Sequence, residues 1–310
     1  MRLALMIEGQ EGVSWEQWVA LGEACERHGI EALFRSDHYL SQADPASRQA
    51  LDAWTTLAAL AARTSRVRLG TLVSPVTFRH PSVLANSSAT VDQVSGGRVE
   101  LGMGGGWMVA EHEGYGFPFP ETRVRMAMLH EQIEIVHRLW TEDTVDFAGE
   151  HYRLVRAPGQ PKPVQRPHPN LIVGGSGGRG TILAAARWAD EYNTPFASAT
   201  DFAAIRARVR ETCEREGRDP DELTYSLMTG CVIGEEYARR LYESRSCAES
   251  FDAWRESYAQ RALVGSLDDV AARIREYEQA GCERIMLQLL LHDDLEAVEL
   301  IGRELAPAVA

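Results

Sequence analysis

Glu31-Ala-Leu-Phe-Arg-Ser-Asp-His38 begins as a short apolar run and ends in an acid and an imidazole. The run Ala32–Phe34 has the length and composition of a buried strand. Asp37 and His38 then stand where that strand meets its loop. In a parallel sheet covered by helices, ligands sit at the C-terminal edges of the strands. On that reading both groups face a shared mouth, where histidine titrates near neutrality and a carboxylate can orient it. A capping aspartate beside a histidine that merely packs is the competing explanation.

The same pattern recurs outward along the chain. Further short apolar runs lie at Leu3–Ile7, Val67–Leu72, Val99–Met103, Asn170–Val173, Glu191–Thr194, Leu223–Val232 and Glu283–Leu289. Helical periodicity follows most of them, as in Trp15, Trp18, Val19, Gly22 and Cys25, or in Val270, Ile274 and Tyr277 ahead of Gly281. Eight strand–helix units in 310 residues predict a closed (β/α)8 TIM barrel, read as one domain over residues 1–310. Two stretches exceed a minimal barrel and are read as insertions and candidate lids. Residues 104–169 hold a long amphipathic helix through Met126, Leu129, Ile133 and Val136, a hairpin across Ala148-Gly149, and a proline-rich connector. Residues 234–263 are polar, helical and rich in arginine and glutamate.

Composition narrows the function. The formal net charge is −13, which argues against nucleic acid and anionic membrane surfaces as partners. Five widely spaced cysteines without a Cys-x-x-Cys point away from disulfides and thiolate metal sites, and towards a reducing cytoplasm. No apolar stretch approaches a membrane span or a signal peptide. The histidines are dispersed, so no metal site is expected. No Gly-x-Ser-x-Gly elbow occurs either, which favours chemistry carried by a bound cofactor and acting on a small-molecule substrate.

Three further segments are candidates. Gly174-Gly-Ser-Gly-Gly-Arg-Gly-Thr181 follows an apolar strand and opens a helix. Unshielded N–H groups of Gly174, Gly175, Ser176, Gly177 and Gly178, with Arg179 beside them, suit a phosphate. A Rossmann dinucleotide loop and a purely structural glycine turn remain the alternatives. Gly102-Met-Gly-Gly-Gly-Trp107 follows the fourth strand, and its glycines, Gly104 among them, would let a flat ring approach the backbone. Trp107, Met108, Glu111 and His112 behind it form either a substrate wall or a packed helix start. Gly70–Phe78 ends the third strand with Thr71, Ser74 and Pro75, an irregular strand end that a ligand or an ordinary loop entry explains equally well.

These segments together resemble the bacterial luciferase-like superfamily and, within it, the coenzyme F420-dependent oxidoreductases. The resemblance rests on Ser36-Asp-His38, Leu69–Pro81, Gln93–Arg98 with Leu101–Trp107 and Tyr115–Pro120, and Val173–Gly178 with Ala186–Asp190. It implies a barrel, usually homodimeric, with a deazaflavin or flavin in its mouth. By that likeness Asp37 and His38 contact the ring, with His38 moving the proton. Leu72-Val73, next to Ser74, matches the place where the family often has a non-prolyl cis peptide behind the ring. Gly175–Gly178 and Arg179 match the phosphate loop. Arg153, Arg156, Lys162 and Arg166 bracket it in sequence and are candidates for a basic path to an anionic tail. One departure concerns the substrate. The related sugar-phosphate dehydrogenases carry glutamate and asparagine where this chain has Trp107 and Ala110, so glucose 6-phosphate is not expected.

Three functions follow from the resemblance. The first is hydride transfer between coenzyme F420 and a carbonyl, alcohol, imine or activated alkene. The second is an FMN-dependent two-component monooxygenase using reduced flavin and oxygen. The third, of another class, is a flavin-binding protein without turnover.

Overall fold

The computed structural model describes residues 1–245 and 248–310; Cys247, one of the five cysteines, lies outside the described residues. The chain opens with strand β1 (Arg2–Ile7) and helix α1 (Trp15–His28). Ser14 and Gln17 cap α1 reciprocally, and Gly29 ends it in the left-handed conformation. The alternation continues through β2 (Ala32–Arg35), α2 (Ala53–Arg63), β3 (Arg68–Pro75), α3 (Pro81–Ser95) and β4 (Val99–Gly104). It is interrupted by α4 (Val109–Tyr115), α5 (Thr122–Thr141) and the hairpin β5 (Thr144–Ala148) with β6 (Arg153–Pro158). It resumes with β7 (Asn170–Gly174), α6 (Arg179–Trp188), β8 (Glu191–Pro195), α7 (Ala199–Arg215) and β9 (Thr224–Ile233). The rest comprises α8 (Glu235–Glu243), α9 (Phe251–Ala259), β10 (Ala262–Gly265), α10 (Leu267–Gln279), β11 (Arg284–Leu289) and α11 (Leu295–Leu300).

Eight parallel strands close on themselves in the order β11-β1-β2-β3-β4-β7-β8-β9, with β9 paired to both β8 and β11. This is a (β/α)8 barrel, and its strands are the eight apolar runs of the sequence. A ninth strand, β10, pairs with the far half of β9 at Gly230–Ile233. It overlaps the end of the stretch expected to be helical, as a four-residue strand between α9 and α10.

Alternation along the strands builds the interior in layers, because successive side chains point to opposite faces. At the N-terminal ends of the strands, Glu100, Glu191 and Arg284 form an ionic floor. Above it Ala4, Met6, Ala32, Phe34, Leu72, Ile172, Met228 and Met286 fill an apolar middle. Two residues further along, Glu8, Ser36, Gly104, Gly174, Pro195 and Gln288 line the cavity at the mouth. The outward faces of the strands join the helix stripes in a second, larger core that includes Leu33, Leu101, Leu129, Ile133 and Val136.

Candidate active site

The mouth opens into a cavity of about 2050 Å³, lined by loops from around the whole barrel rim. His38 after β2 and Gly174, Gly175, Ser176 and Gly178 after β7 share its wall, with Leu72, Val73, Gly104 and Trp107 between them. Segments more than 130 residues apart in the chain are thereby brought to one rim, as barrel closure requires.

His38 Nδ1 lies 2.7 Å from Glu111 Oε1, and the other oxygen of Glu111 accepts the Tyr39 N–H at 3.0 Å. Glu111 is 1% exposed, so this carboxylate faces little except His38 and the Tyr39 amide. Burial pulls the His38 pKa down, but the hydrogen bond and charge of Glu111, with help from Glu8 and Asp37, more than reverse it; the net shift is upward. An ionised carboxylate only accepts hydrogen bonds, so Nδ1 carries a proton and Nε2 is the nitrogen left for a ligand. The indole of Trp107 meets the imidazole edge-on, with centroids 5.5 Å apart.

Asp37 is placed differently from His38. It is 2% exposed, and its Oδ2 accepts from Ser74 Oγ at 2.6 Å and from Arg79 at 2.5 Å. Arg79 continues to Asp52 at 2.9 Å, and Trp54 Nε1 donates to Ser74 at 3.1 Å. The carboxylate and Ser74 are thus committed to a buried network behind the cavity wall, rather than presented to a ring. Met108 and His112 are also inside the protein. His112 Nδ1 bonds the Met108 carbonyl at 2.7 Å and its Nε2 bonds Thr77 Oγ1 at 2.6 Å, among Phe78, Phe117 and Phe119. Of the segment after β4, Gly105, Gly106 and Trp107 reach the cavity, and Glu111 touches His38 behind it.

The glycines after the fourth strand also answer to close neighbours within the protein. The Leu72–Val73 peptide is cis, and β3 carries one extra residue against β4 between Thr71 and Ser74. This bulge pushes Val73 inward. A Cβ on Gly102 would lie 2.2 Å from the Thr71 carbonyl oxygen; on Gly104 or Gly174 it would lie 2.6 or 2.9 Å from a Val73 methyl. Met126 fills the space beside Gly105, where a Cβ would lie 2.2 Å from its Cε. Gly104, Gly105 and Gly106 nonetheless line the cavity, so the segment stands on the wall that a ring would meet.

The loop Gly174–Gly178 leads into α6, whose N-cap, Gly178, offers no side-chain cap to the first N–H groups. Ser176 and Gly178 face the cavity, whereas Gly177 is turned inward and donates its N–H to Tyr192 Oη at 3.1 Å. Arg179 is exposed and is not among the residues lining the cavity. Arg208 of α7 lies close to this loop instead, its Nη1 3.3 Å from where a Gly177 Cβ would sit. Arg153, Arg156, Lys162 and Arg166, the basic path expected from sequence, are not among the residues lining the cavity. Lys162 donates to the Leu139 and Glu142 carbonyls at the end of α5, and Arg166 to the Pro163 carbonyl.

The expected lids divide. Leu241, Ser244, Arg245, Tyr258 and Arg261 do wall the mouth. The β5–β6 hairpin packs against α5, and the connector is tied to Asp92 by the Val164 and Gln165 N–H groups, away from the cavity. Sequence reading passed over residues 42–49, which line the mouth and hang on Glu11 through Ser41, Gln42 and Arg48. It also passed over Glu8, which Gln10 and Gln288 grip at 2.9 and 2.5 Å. The signal for Glu8 was the same as for His38: a titratable residue directly after an apolar strand.

A parallel barrel whose mouth joins an acid-paired imidazole to an uncapped glycine loop defines a class, the barrels that do their chemistry on a bound cofactor. The chain belongs to the luciferase-like monooxygenase family, whose family model matches residues 2–284. Among curated relatives, the F420-dependent glucose-6-phosphate dehydrogenase of Segniliparus rotundus is 30% identical over 314 residues, covering 92% of this chain and 91% of the relative. Among solved structures, the monooxygenase RslO1 from Streptomyces bottropensis superposes with a TM-score of 0.81 at 26% identity, covering 100% of both chains. The coenzyme F420-dependent tetrahydromethanopterin reductase from Methanopyrus kandleri gives the same TM-score of 0.81 at 20% identity over 100% of both chains, a likeness of fold.

Proposed function

We propose that this chain is an F420-dependent oxidoreductase that passes a hydride between the deazaflavin and a small organic substrate. The observation that carries the reading is the His38–Glu111 pair standing on the same cavity wall as the glycine loop. The residues suit that cofactor. Ser176, Gly178 and the open start of α6 would hold its phosphate. The cavity of about 2050 Å³ leaves space for a substrate beside a cofactor of that length. Relatives over more than nine-tenths of the chain are named for the same cofactor, which favours it over FMN.

When bound, F420 supplies or accepts the hydride. His38 would give a proton to the substrate through Nε2, or take one from it, while Glu111 fixes the tautomer and steadies the imidazolium. Asp37, held by Ser74 and Arg79, adds negative charge behind the imidazole and braces the loop that carries it. Trp107 and Leu289–Leu291 give the substrate side an apolar wall, which suits a less polar substrate than a sugar phosphate.

The test is direct titration with F420 and with FMN, followed by turnover on carbonyl, alcohol, imine, alkene and glucose 6-phosphate panels. Tighter binding of F420 is expected. His38→Ala should lower turnover by about a hundredfold or more while leaving F420 affinity within a fewfold. Preference for FMN with oxygen consumed during turnover would overturn the cofactor. Binding without turnover on any panel would return the protein to a carrier role.

A further inference from the structure

We infer that Tyr192 is the positioning residue that holds the phosphate cradle in its binding shape. The inference rests on reading Gly174–Gly178 as the cofactor's phosphate loop. Tyr192 lies in β8, 1% exposed, with its ring in the shell between strands and helices. Its phenol reaches under the loop and ties both sides of Ser176. The Oη accepts the Gly177 N–H at 3.1 Å and donates to the Gly175 carbonyl at 2.9 Å. Thr181 Oγ1, which donates to the Gly178 carbonyl at 3.0 Å, stands 3.3 Å from Tyr192 Oη.

From the other side the loop is closed by α7. Gly177 has a φ of +83°, and a Cβ there would come within 3.0 Å of Ile205. Held between Ile205 and Tyr192, the loop keeps Gly177 inward, and Ser176 and Gly178 toward the cavity. The Gly177 N–H is thereby withdrawn from the anion site and spent on the shape of the rest, as the Gly175 N–H is spent on the Asn193 carbonyl at 3.0 Å. Burial raises the phenol's pKa above its ordinary value, so the group stays a neutral donor and acceptor. Phenylalanine would fill the same space but leave the buried Gly177 N–H unpaired, a cost the loop can avoid only by turning.

Binding constants of wild type and Tyr192→Phe decide the matter, measured with F420 and with the same deazaflavin chromophore carrying only its ribityl chain. Tyr192→Phe should weaken F420 about tenfold. It should leave the phosphate-free chromophore within about twofold of wild type. If wild type itself binds both equally, the phosphate-loop reading fails. If wild type prefers F420 and Tyr192→Phe keeps that preference intact, the role of Tyr192 alone is overturned; equal loss of both ligands overturns it too, since the effect would then extend beyond the cradle. Should the variant not fold, amide exchange in the ligand-free wild type replaces it. The Gly177 amide should exchange far more slowly than that of Ser176, and equal rates would overturn the inference.

Discussion

Glu111 holds His38 by Nδ1, and on the proposed function it thereby leaves Nε2 for the substrate and strengthens the imidazole's hold on its proton. With the imidazole pKa raised in the folded protein, the stability gained from the pair is complete below the ordinary imidazole value and is lost as pH rises through the raised one. Catalysis that needs His38 as proton donor has its alkaline limb at the same place. Glu111→Gln keeps an acceptor for the Tyr39 N–H but removes the charge, so the limb should move to lower pH, with turnover falling most on the alkaline side. A pH profile of kcat/KM in the substrate-reducing direction checks this, and a limb that does not move would dissociate Glu111 from the proton. His38 was legible because a titratable residue ended an apolar strand. The role of Glu111 was not, because the two meet across 73 residues and only closure of the barrel brings them together. The likeness that paired Asp37 with His38 says nothing of Arg79, which turns the carboxylate inward.

At the scale of elements, one bulge explains a sequence motif. Val73 is pushed inward by the extra residue of β3, and the neighbouring strands answer with Gly102, Gly104 and Gly174. Two of these glycines differ in what a methyl would strike. At Gly102 it meets the Thr71 carbonyl, which is backbone and cannot yield; at Gly104 it meets a Val73 methyl, with the next atom 3.7 Å away. Gly102→Ala should therefore destabilise the fold by about 1–3 kcal/mol or more, and Val73→Ala should not restore it. Gly104→Ala should be destabilising alone yet recover most of its loss in the Val73→Ala background. Thermal or urea unfolding of the three single and two double variants measures the coupling, and additivity at Gly104 would remove Val73 as the cause. Strand positions were readable from apolar runs, and the α5 stripe and the β5–β6 hairpin from their periods. The reason for the glycine run was not, because glycine beside a ligand and glycine beside a neighbouring side chain leave the same mark in sequence.

Over the whole molecule, the barrel separates chemistry from cohesion. The mouth carries His38 and the glycine loop, while the floor carries Arg284, the first residue of β11, between Glu100 of β4 at 2.7 Å and Glu191 of β8 at 3.2 Å. Arg68 at 2.6 Å and Asn170 at 2.8 Å complete the set around Glu100. Five strands, β3, β4, β7, β8 and β11, are thus joined across the interior, beneath the Phe34 ring that the guanidinium faces at 5.0 Å. Burial alone would raise the pKa of Glu100, but Arg284 and then Arg68 outweigh it and hold the pKa at about 2. Its contribution is present above the ordinary carboxylate value of 4.5 and is lost as pH falls towards about 2. Removing Arg284 takes from Glu191 the cation that faces it and leaves Glu100 with Arg68, so Arg284→Met should cost about 3–5 kcal/mol of unfolding free energy. Adding Glu100→Gln and Glu191→Gln should return most of that, because the penalty comes from uncompensated charge and not from lost attraction. The triple variant should also lose the part of the wild type's acid sensitivity that the lowered pKa of Glu100 contributes. Since the floor lies at the end of the strands opposite the cavity, F420 affinity of the folded fraction should be unchanged throughout. Urea unfolding at neutral and acid pH, with cofactor titration of each variant, measures both. A triple variant no more stable than Arg284→Met would mean that the attraction itself, rather than the relief of buried charge, holds the floor together.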